Sequence, residues 1–352
     1  MKLKALIAAP LGLLAALAIG ANTANAEIQR TKIKVVGTWH NQSPYMLYEK
    51  PFWTKDVTKL SGGKITATLN PITELGLKGW EVMRLTKLGV FDVAHGVYGY
   101  VASEEPALEG IDLSSVAKDF KQGRQIVRAY APIVEKNFKR AFDAQYLFTH
   151  PFPSQMIWCN QPINKLSDLK GKKVRVYSTT LGDFVQGLGG TSVTIAFAEV
   201  VPALQKGVAE CGITGTLPAY QAKWHEVITH AMKIRVGMGL AFAAMSNKKW
   251  NTLNADTRAF LKAQSARLED EMWANSEAED AVAFACLSGK GKCTKGEPGS
   301  VTLVDPAPSD LKERQRILKE FVLKKWAARC SAECVKDWNA TVAPIVGIKA
   351  IK

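Results

Sequence analysis

The chain is poor in the residues from which metal centres and nucleophilic active sites are built. It holds only five histidines, His40, His95, His150, His225 and His230. No C-x-x-C pair and no G-x-S-x-G elbow occurs, which argues against a cysteine metal site and against the elbow type of hydrolase. "HEVITH" (225–230) misses the zinc-protease spacing by one residue. Five steps along a helix turn through about 500°, so its two histidines do not share a face. "SGGKIT" (61–66) hints at a phosphate loop, but Thr58 stands where the first glycine belongs. "GMGLAF" (237–242) lacks the third small residue of a dinucleotide loop. Lysines come singly or in pairs, so no basic helix offers itself to nucleic acid. Beyond residue 26 no apolar run is long enough to cross a bilayer. Neither a metal nor a cofactor is expected.

The first 26 residues differ from the rest. Lys2 and Lys4 precede an apolar run from Ala5 to Ala21, and Ala24-Asn25-Ala26 follows. A charged start, an apolar centre and an A-x-A site make a secretory signal, with cleavage expected before Glu27. Without it the chain carries 44 basic residues against 32 acidic ones, a net +12. For an exported protein this general positive field favours anionic small molecules over nucleic acid. Export also permits disulfides. Six cysteines allow 15 pairings. A bridge from Cys286 to Cys293 would staple the loop LSGKGK. Cys330 and Cys334 are close in sequence, and Cys159 and Cys211 each end an expected strand.

Hydrophobic residues make up 47% and charged residues 22% of the sequence, the balance of a globular protein with room for two domains. Strands are expected at 33–39, 64–70 and 90–96, with helices at 45–63 and 79–89 between them. The rhythm recurs as strands at 171–178, 191–195 and 208–214 and helices at 180–188 and 197–207. "EVMRLTKLGVFD" from Glu81 and "EVVPALQKGVAE" from Glu199 both read E-V-x6-G-V-x-[D/E]. One helix–glycine–strand unit thus appears twice. The βαβ pattern implies two similar α/β lobes with largely parallel sheets. A strand crosses back after 237. A long helix follows over 254–287, capped by Asn254 or Asp256, then a loop and a further helix over 308–330. This is an α/β fold of clamp type: lobe 1 over 27–150 completed by parts of 240–352, lobe 2 over 151–239, and a C-terminal segment over 288–352. Ligands of open α/β sheets bind beyond the carboxyl ends of the strands, here in the cleft between lobes.

"DLKGKKVRVYSTT" (168–180) poses the sharpest question. Side-chain alternation puts Val174 and Val176 on one face and Arg175 and Tyr177 on the other. A buried, unpaired guanidinium is costly, so Arg175 needs either an acid of the protein, such as Asp168 or Asp183, or a ligand.

"LSDLKGKKVRVYS" (166–178), "FAEVVPALQKGVAECGITG" (197–215) and "AKWHEV" (222–227), in this order, resemble the solute-binding proteins of tripartite ATP-independent periplasmic (TRAP) transporters. The resemblance extends over nearly the whole mature chain, although the insertion around 286–304 is not typical of the family. It implies a two-lobed periplasmic-binding-protein clamp with hinge strands and a long spanning helix. It also implies a periplasmic protein, not an enzyme, that hands a small carboxylate to a TRAP membrane permease; presenting the ligand to a membrane receptor is the alternative, and an exported hydrolase a more distant one. By resemblance Arg175 grips the carboxylate. Phe197 matches a pocket aromatic. Thr214 stands where some members carry asparagine. Gln155 stands where sialic-acid binders carry a second arginine, which counts against sialic acid. His95 and Tyr98, at one strand end, and Trp39 and Asn41, at another, are further candidates. The aromatic candidates favour a monocarboxylate with an apolar or aromatic body over a sugar acid.

Overall fold

Strand formation follows the β-branched, alternating segments. A computed structural model describes residues 27–352; the expected signal peptide over 1–26 lies outside the described residues. The strands are β1 (Thr31–Gly37), β2 (Ile65–Pro71), β3 (Val93–Val97), β4 (Ala144–His150), β5 (Gln155–Cys159), β6 (Lys173–Val176), β7 (Thr191–Thr194), β8 (Cys211–Gly215), β9 (His230–Gly237), β10 (Ala241–Ser246) and β11 (Thr302–Val304). They form a five-stranded sheet, β2-β1-β3-β10-β4, and a six-stranded sheet, β11-β9-β5-β8-β6-β7. The chain passes from the first sheet to the second between β4 and β5 and returns between β9 and β10. The first strand after each crossing, β5 in the second sheet and β10 in the first, runs antiparallel to both its neighbours. The sheets are therefore mixed rather than largely parallel, because each takes the strand that enters it from the other lobe in the opposite sense.

The repeated sequence unit is also a repeated structure. Helix Val82–Lys87 ends at Gly89, φ 83°, and leads into β3. Helix Val200–Gln205 ends at Gly207, φ 69°, and leads into β8. Glycine closes a helix in this left-handed conformation without a Cβ penalty. The acidic residue of the motif does the same work twice. Asp92 Oδ2 accepts from Lys34 N of β1 at 2.8 Å. Glu210 Oε2 accepts from Lys173 N of β6 at 2.9 Å. Each carboxylate satisfies an amide next to the ladder and so sets the register of a parallel pair.

Helix Phe120–Phe142 is absent from the sequence expectations. Pro132 sits inside it and disturbs its pattern; proline costs a backbone donor and crowds the preceding turn. Packing decides otherwise, since Phe120, Ile126, Val127, Tyr130, Val134 and Phe138 are all buried on one face. Asp119 caps its start by accepting from Gln122 N at 2.7 Å.

The long helix spans Ala255–Ser288, and Asn254 is the cap, accepting from Thr257 N at 2.9 Å. It lies across both sheets and holds the first crossing. Trp273 Nε1 donates to Thr149 O at 2.9 Å and Ser276 Oγ to Pro151 O at 3.3 Å. Asp280 Oδ1 accepts from Ser154 N at 3.0 Å and from Thr216 Oγ1 at 2.6 Å. The second crossing is held by Asp112, whose oxygens accept from Met238 N at 3.0 Å and Leu240 N at 2.9 Å. Burial pushes that carboxyl up to about 6, against the opposing pull of these amides.

All six cysteines are paired: Cys159–Cys211, Cys286–Cys293 and Cys330–Cys334. The first joins facing residues of β5 and β8. The second closes the atypical insertion, whose Glu297 carbonyl accepts from Tyr220 OH at 2.7 Å.

Candidate ligand-binding cleft

Strand β6 buries Val174 and Val176 in the core of its lobe, and period-two alternation turns Arg175 and Tyr177 towards the other sheet. Arg175 is only 1% exposed. Its Nε donates to Ile195 O at 2.9 Å and its Nη1 to Ile213 O at 2.8 Å. These carbonyls lie just after β7 and within β8, so the flanking strands brace the guanidinium. Its Nη2 is buried and makes no hydrogen bond among the described residues, although the Tyr100 hydroxyl lies beside the guanidinium. Asp168 accepts instead from Asn164 N and Lys165 N, at 2.8 and 3.2 Å. Asp183 pairs with Arg329 at 2.7 Å. Among the described residues no carboxylate forms an ion pair with Arg175. Burial lowers its pKa, countered by the nearby Tyr100 and Tyr177; arginine nevertheless remains charged in proteins.

The free edge of Arg175 borders a cavity of about 40 Å³. Aromatic rings from both sheets wall it. Trp39, just after β1, meets Phe197 edge-on at 5.2 Å, Tyr100 at 6.0 Å and Phe152 at 6.2 Å between centroids. The guanidinium carbon lies 5.4 Å from the Tyr177 ring centroid and 6.0 Å from that of Phe197, close enough for cation–π attraction. Burial pushes the Tyr100 hydroxyl up to about 12, although Arg175 draws it the other way, so Tyr100 stays a neutral donor. The lobes also touch at the rim. Lys78 Nζ stands 2.6 Å from Glu199 Oε1, and Ser43 N donates to Gln221 Oε1 at 3.2 Å.

Of the eight candidate residues, Arg175, Phe197, Thr214, Gln155 and Trp39 line this one cavity. Gln155 has both ends of its amide engaged: Oε1 accepts from Tyr177 OH at 3.1 Å, and Nε2 donates to Pro153 O at 3.0 Å. It therefore orients Tyr177. Asn41, His95 and Tyr98 lie outside the cavity. Tyr98 OH bonds Thr149 Oγ1 at 2.5 Å within the core. His95 lies on the far side of its strand, where Trp53 Nε1 donates to its Nε2 at 2.8 Å. Asn41 faces the rim and bonds Gln42 and Gln221. Tyr177, Tyr100, Gln42 and Phe152 also line the cavity. Only Tyr177 had a sequence signal, its shared face with Arg175.

His95 belongs to a buried group with Glu49 and His150 whose candidate ligand atoms lie within 4.8 Å of one another. Its hydrogen bonding does not suit a metal. An indole N–H only donates, so His95 Nε2 must be the bare nitrogen and Nδ1 must carry the proton of the neutral ring. Burial, together with His150, depresses the His95 pKa to about 3, so the ring is neutral. Both Glu49 oxygens already accept from Thr38, at 2.8 and 2.7 Å. Glu49 is thus held by Thr38 and His95 by Trp53, while His95 Nδ1 and His150 Nε2 make no hydrogen bond among the described residues.

Gly239, in the second crossing, has φ 59°, and a Cβ there would stand 2.4 Å from Gln155 Nε2. Gly239→Ala should therefore push Gln155 off Tyr177 and strain the backbone, at a cost of about 1 kcal/mol or more. Both melting temperature and ligand affinity should fall; a variant matching the parent in both would refute this role.

Two α/β lobes, joined by two crossings and closed on a cavity with an unanswered guanidinium, define a ligand-binding clamp. The chain belongs to the bacterial extracellular solute-binding protein family 7, whose model matches residues 35–298, and it is a DctP-like solute-binding protein of the TRAP type. The family consists of solute-binding proteins. The sialic acid-binding periplasmic protein of Vibrio cholerae is 24% identical over 236 residues, covering 66% of this chain and 73% of that protein. A Bordetella pertussis extracytoplasmic solute receptor binding pyroglutamic acid shares the fold at TM-score 0.79, with 18% identity, over 89% of this chain and 99% of its own. A TRAP periplasmic solute-binding protein from Desulfovibrio salexigens with bound orotic acid does so at TM-score 0.80, with 16% identity, over 90% and 99%. The family and the two-lobed fold expected from the sequence are both borne out.

Proposed function

We propose that the protein, exported to the periplasm and cleaved before Glu27, captures a small monocarboxylate and delivers it to a TRAP-type membrane permease. The observation that carries this reading is Arg175 Nη2, a buried cationic donor with no partner among the described residues. A planar guanidinium edge matches a carboxylate, and the ligand supplies the charge that the protein withholds. Among the described residues no second cation lines the cavity, and Gln155 is spent on Tyr177 and Pro153, which supports one carboxylate rather than two. Trp39, Phe197 and Thr214 would meet the rest of the molecule, an apolar wall with few polar groups as is usual in ligand pockets. A space of about 40 Å³ holds about three waters, so a compact acid suits the closed lobes. The solved relatives named above bind pyroglutamic acid and orotic acid, both compact carboxylic acids. In the open clamp water would solvate Arg175, and the carboxylate would draw the lobes together.

The test is a thermal-shift screen of residues 27–352 against organic acids, after unfolding and refolding to strip carried ligand. A ligand bound only by the native state raises stability in proportion to RT ln(1 + [L]/Kd). A concentration-dependent rise for compact monocarboxylates is expected. A rise only with dicarboxylates would remove the single-charge reading, and no rise with any acid would remove the carboxylate reading.

A further inference from the structure

We infer that the ligand carries, besides its carboxylate, a neutral O–H or N–H donor that Gln42 Oε1 accepts. This rests on the carboxylate reading and narrows it to hydroxy acids and to acids with an amide or lactam N–H. Gln42 lines the same cavity as Arg175 and is fully buried. Its Oε1 has no hydrogen-bond partner among the described residues. The amide orientation follows from its neighbours rather than from the shape of the side chain. Asn41 Nδ2 donates to the Gln221 backbone carbonyl at 3.5 Å. A carbonyl only accepts, so the nitrogen of Asn41 must face it and Asn41 Oδ1 must face Gln42. Gln42 Nε2 donates to that oxygen at 3.2 Å, which leaves Gln42 presenting an acceptor. The cavity therefore holds two unanswered buried groups of opposite kind, a cationic donor and a neutral acceptor.

Neighbouring donors do not fill the gap. Tyr177 OH is committed to Gln155 Oε1, and Gln155 Nε2 to Pro153 O. Tyr100, Thr214 and Trp39 also bring donor groups to the cavity wall, but none of them bonds Gln42 Oε1, so the donor is left to the ligand. It should be neutral, because among the described residues no Asp or Glu lines the cavity and an ammonium group there would lack a counter-charge. Amino acids are thereby disfavoured against their hydroxy or lactam counterparts. Asn41 is a positioning residue in this scheme. It ties Gln42 to Gln221 on the opposite lobe, so the acceptor is aimed only when the lobes have met.

A buried polar group left unmatched weakens binding by about 10- to 100-fold. The experiment uses refolded residues 27–352 and titration calorimetry with matched C3–C7 monocarboxylates. Each set contains the plain acid, the acid with a hydroxyl or lactam N–H on the second or third carbon, and the O- or N-methylated form. In every set that binds, the donor-bearing acid should bind about 10- to 100-fold more tightly than the other two. In Gln42→Met that ratio should collapse towards one, and in Asn41→Ala it should shrink. Plain acids that bind as tightly as their donor-bearing partners would overturn the inference and leave the carboxylate reading standing. A preference that survives Gln42→Met would also overturn it. If no acid of any set binds, the carboxylate reading falls and takes this inference with it.

Discussion

Arg175→Ala should raise the Kd for the carboxylate by about a hundredfold to ten-thousandfold while leaving the far-UV circular dichroism unchanged. Each hydrogen bond to a charged group contributes about 1.5–3 kcal/mol, and a carboxylate can take two from the guanidinium edge. The fold should survive because two opposing effects accompany the substitution. The variant loses the bonds to Ile195 O and Ile213 O, but it also removes a buried charge that has no counter-ion. Arg175→Lys should bind almost as poorly. An ammonium is a compact point charge, and it cannot brace against two strand carbonyls and still present a planar fork. Calorimetric titration of both variants against the parent is the measurement. A loss of less than tenfold in the alanine variant would place the carboxylate elsewhere.

Removing the Cys159–Cys211 bridge should produce the largest loss of stability. The two cysteines are separated by 52 positions, and in the chain-entropy model a loop of that length contributes about 4 kcal/mol. For a chain of this size that corresponds to a fall in melting temperature on the order of 10 °C. The bridge also lies behind the site. Cys211 begins β8, which pairs with β6 at Val174 and Arg175 and whose Ile213 carbonyl holds the guanidinium. The Cys159→Ala, Cys211→Ala double variant should therefore bind ligand more weakly as well as melt earlier. The Cys286–Cys293 bridge spans only 7 positions and should contribute about 2–3 kcal/mol by the same model. Melting curves of the two double variants check both the magnitude and the order. Equal losses, or a shift below about 2 °C for the Cys159 and Cys211 pair, would contradict the loop-length account.

The Pro132 helix shows where local pattern misleads. Proline reads as a breaker in sequence, yet the apolar face of Phe120–Phe142 buries enough surface to keep the helix whole. The mixed sheets show a second limit. A βαβ rhythm reports the parallel pairs, but the strands that cross between lobes choose their sense by where the chain must go next. The candidate residues divide in the same way. Those on or next to regular elements, Arg175, Thr214, Gln155, Phe197 and Trp39, do meet in one cavity. His95 lies within β3 but on its far face, and Tyr98 and Asn41, beyond strand ends, are turned elsewhere because one residue of turn geometry redirects a side chain. Tyr100 lines the cavity in place of Tyr98, and Gln42 in place of Asn41.

By itself the sequence determined the strand and helix periods, the doubled helix–glycine–strand unit and the pairing of a cation with an aromatic on one face of β6. All are properties of residues within a few positions of one another, where backbone period alone decides direction. Only the tertiary structure decided that Asp168 and Asp183 are engaged elsewhere, that Arg175 Nη2 and Gln42 Oε1 are left without partners among the described residues, and that Asn41 bonds Gln42 instead of lining the cavity. Whether a buried polar atom is satisfied depends on every neighbour that folding brings within about 3 Å, and those neighbours come from distant parts of the chain.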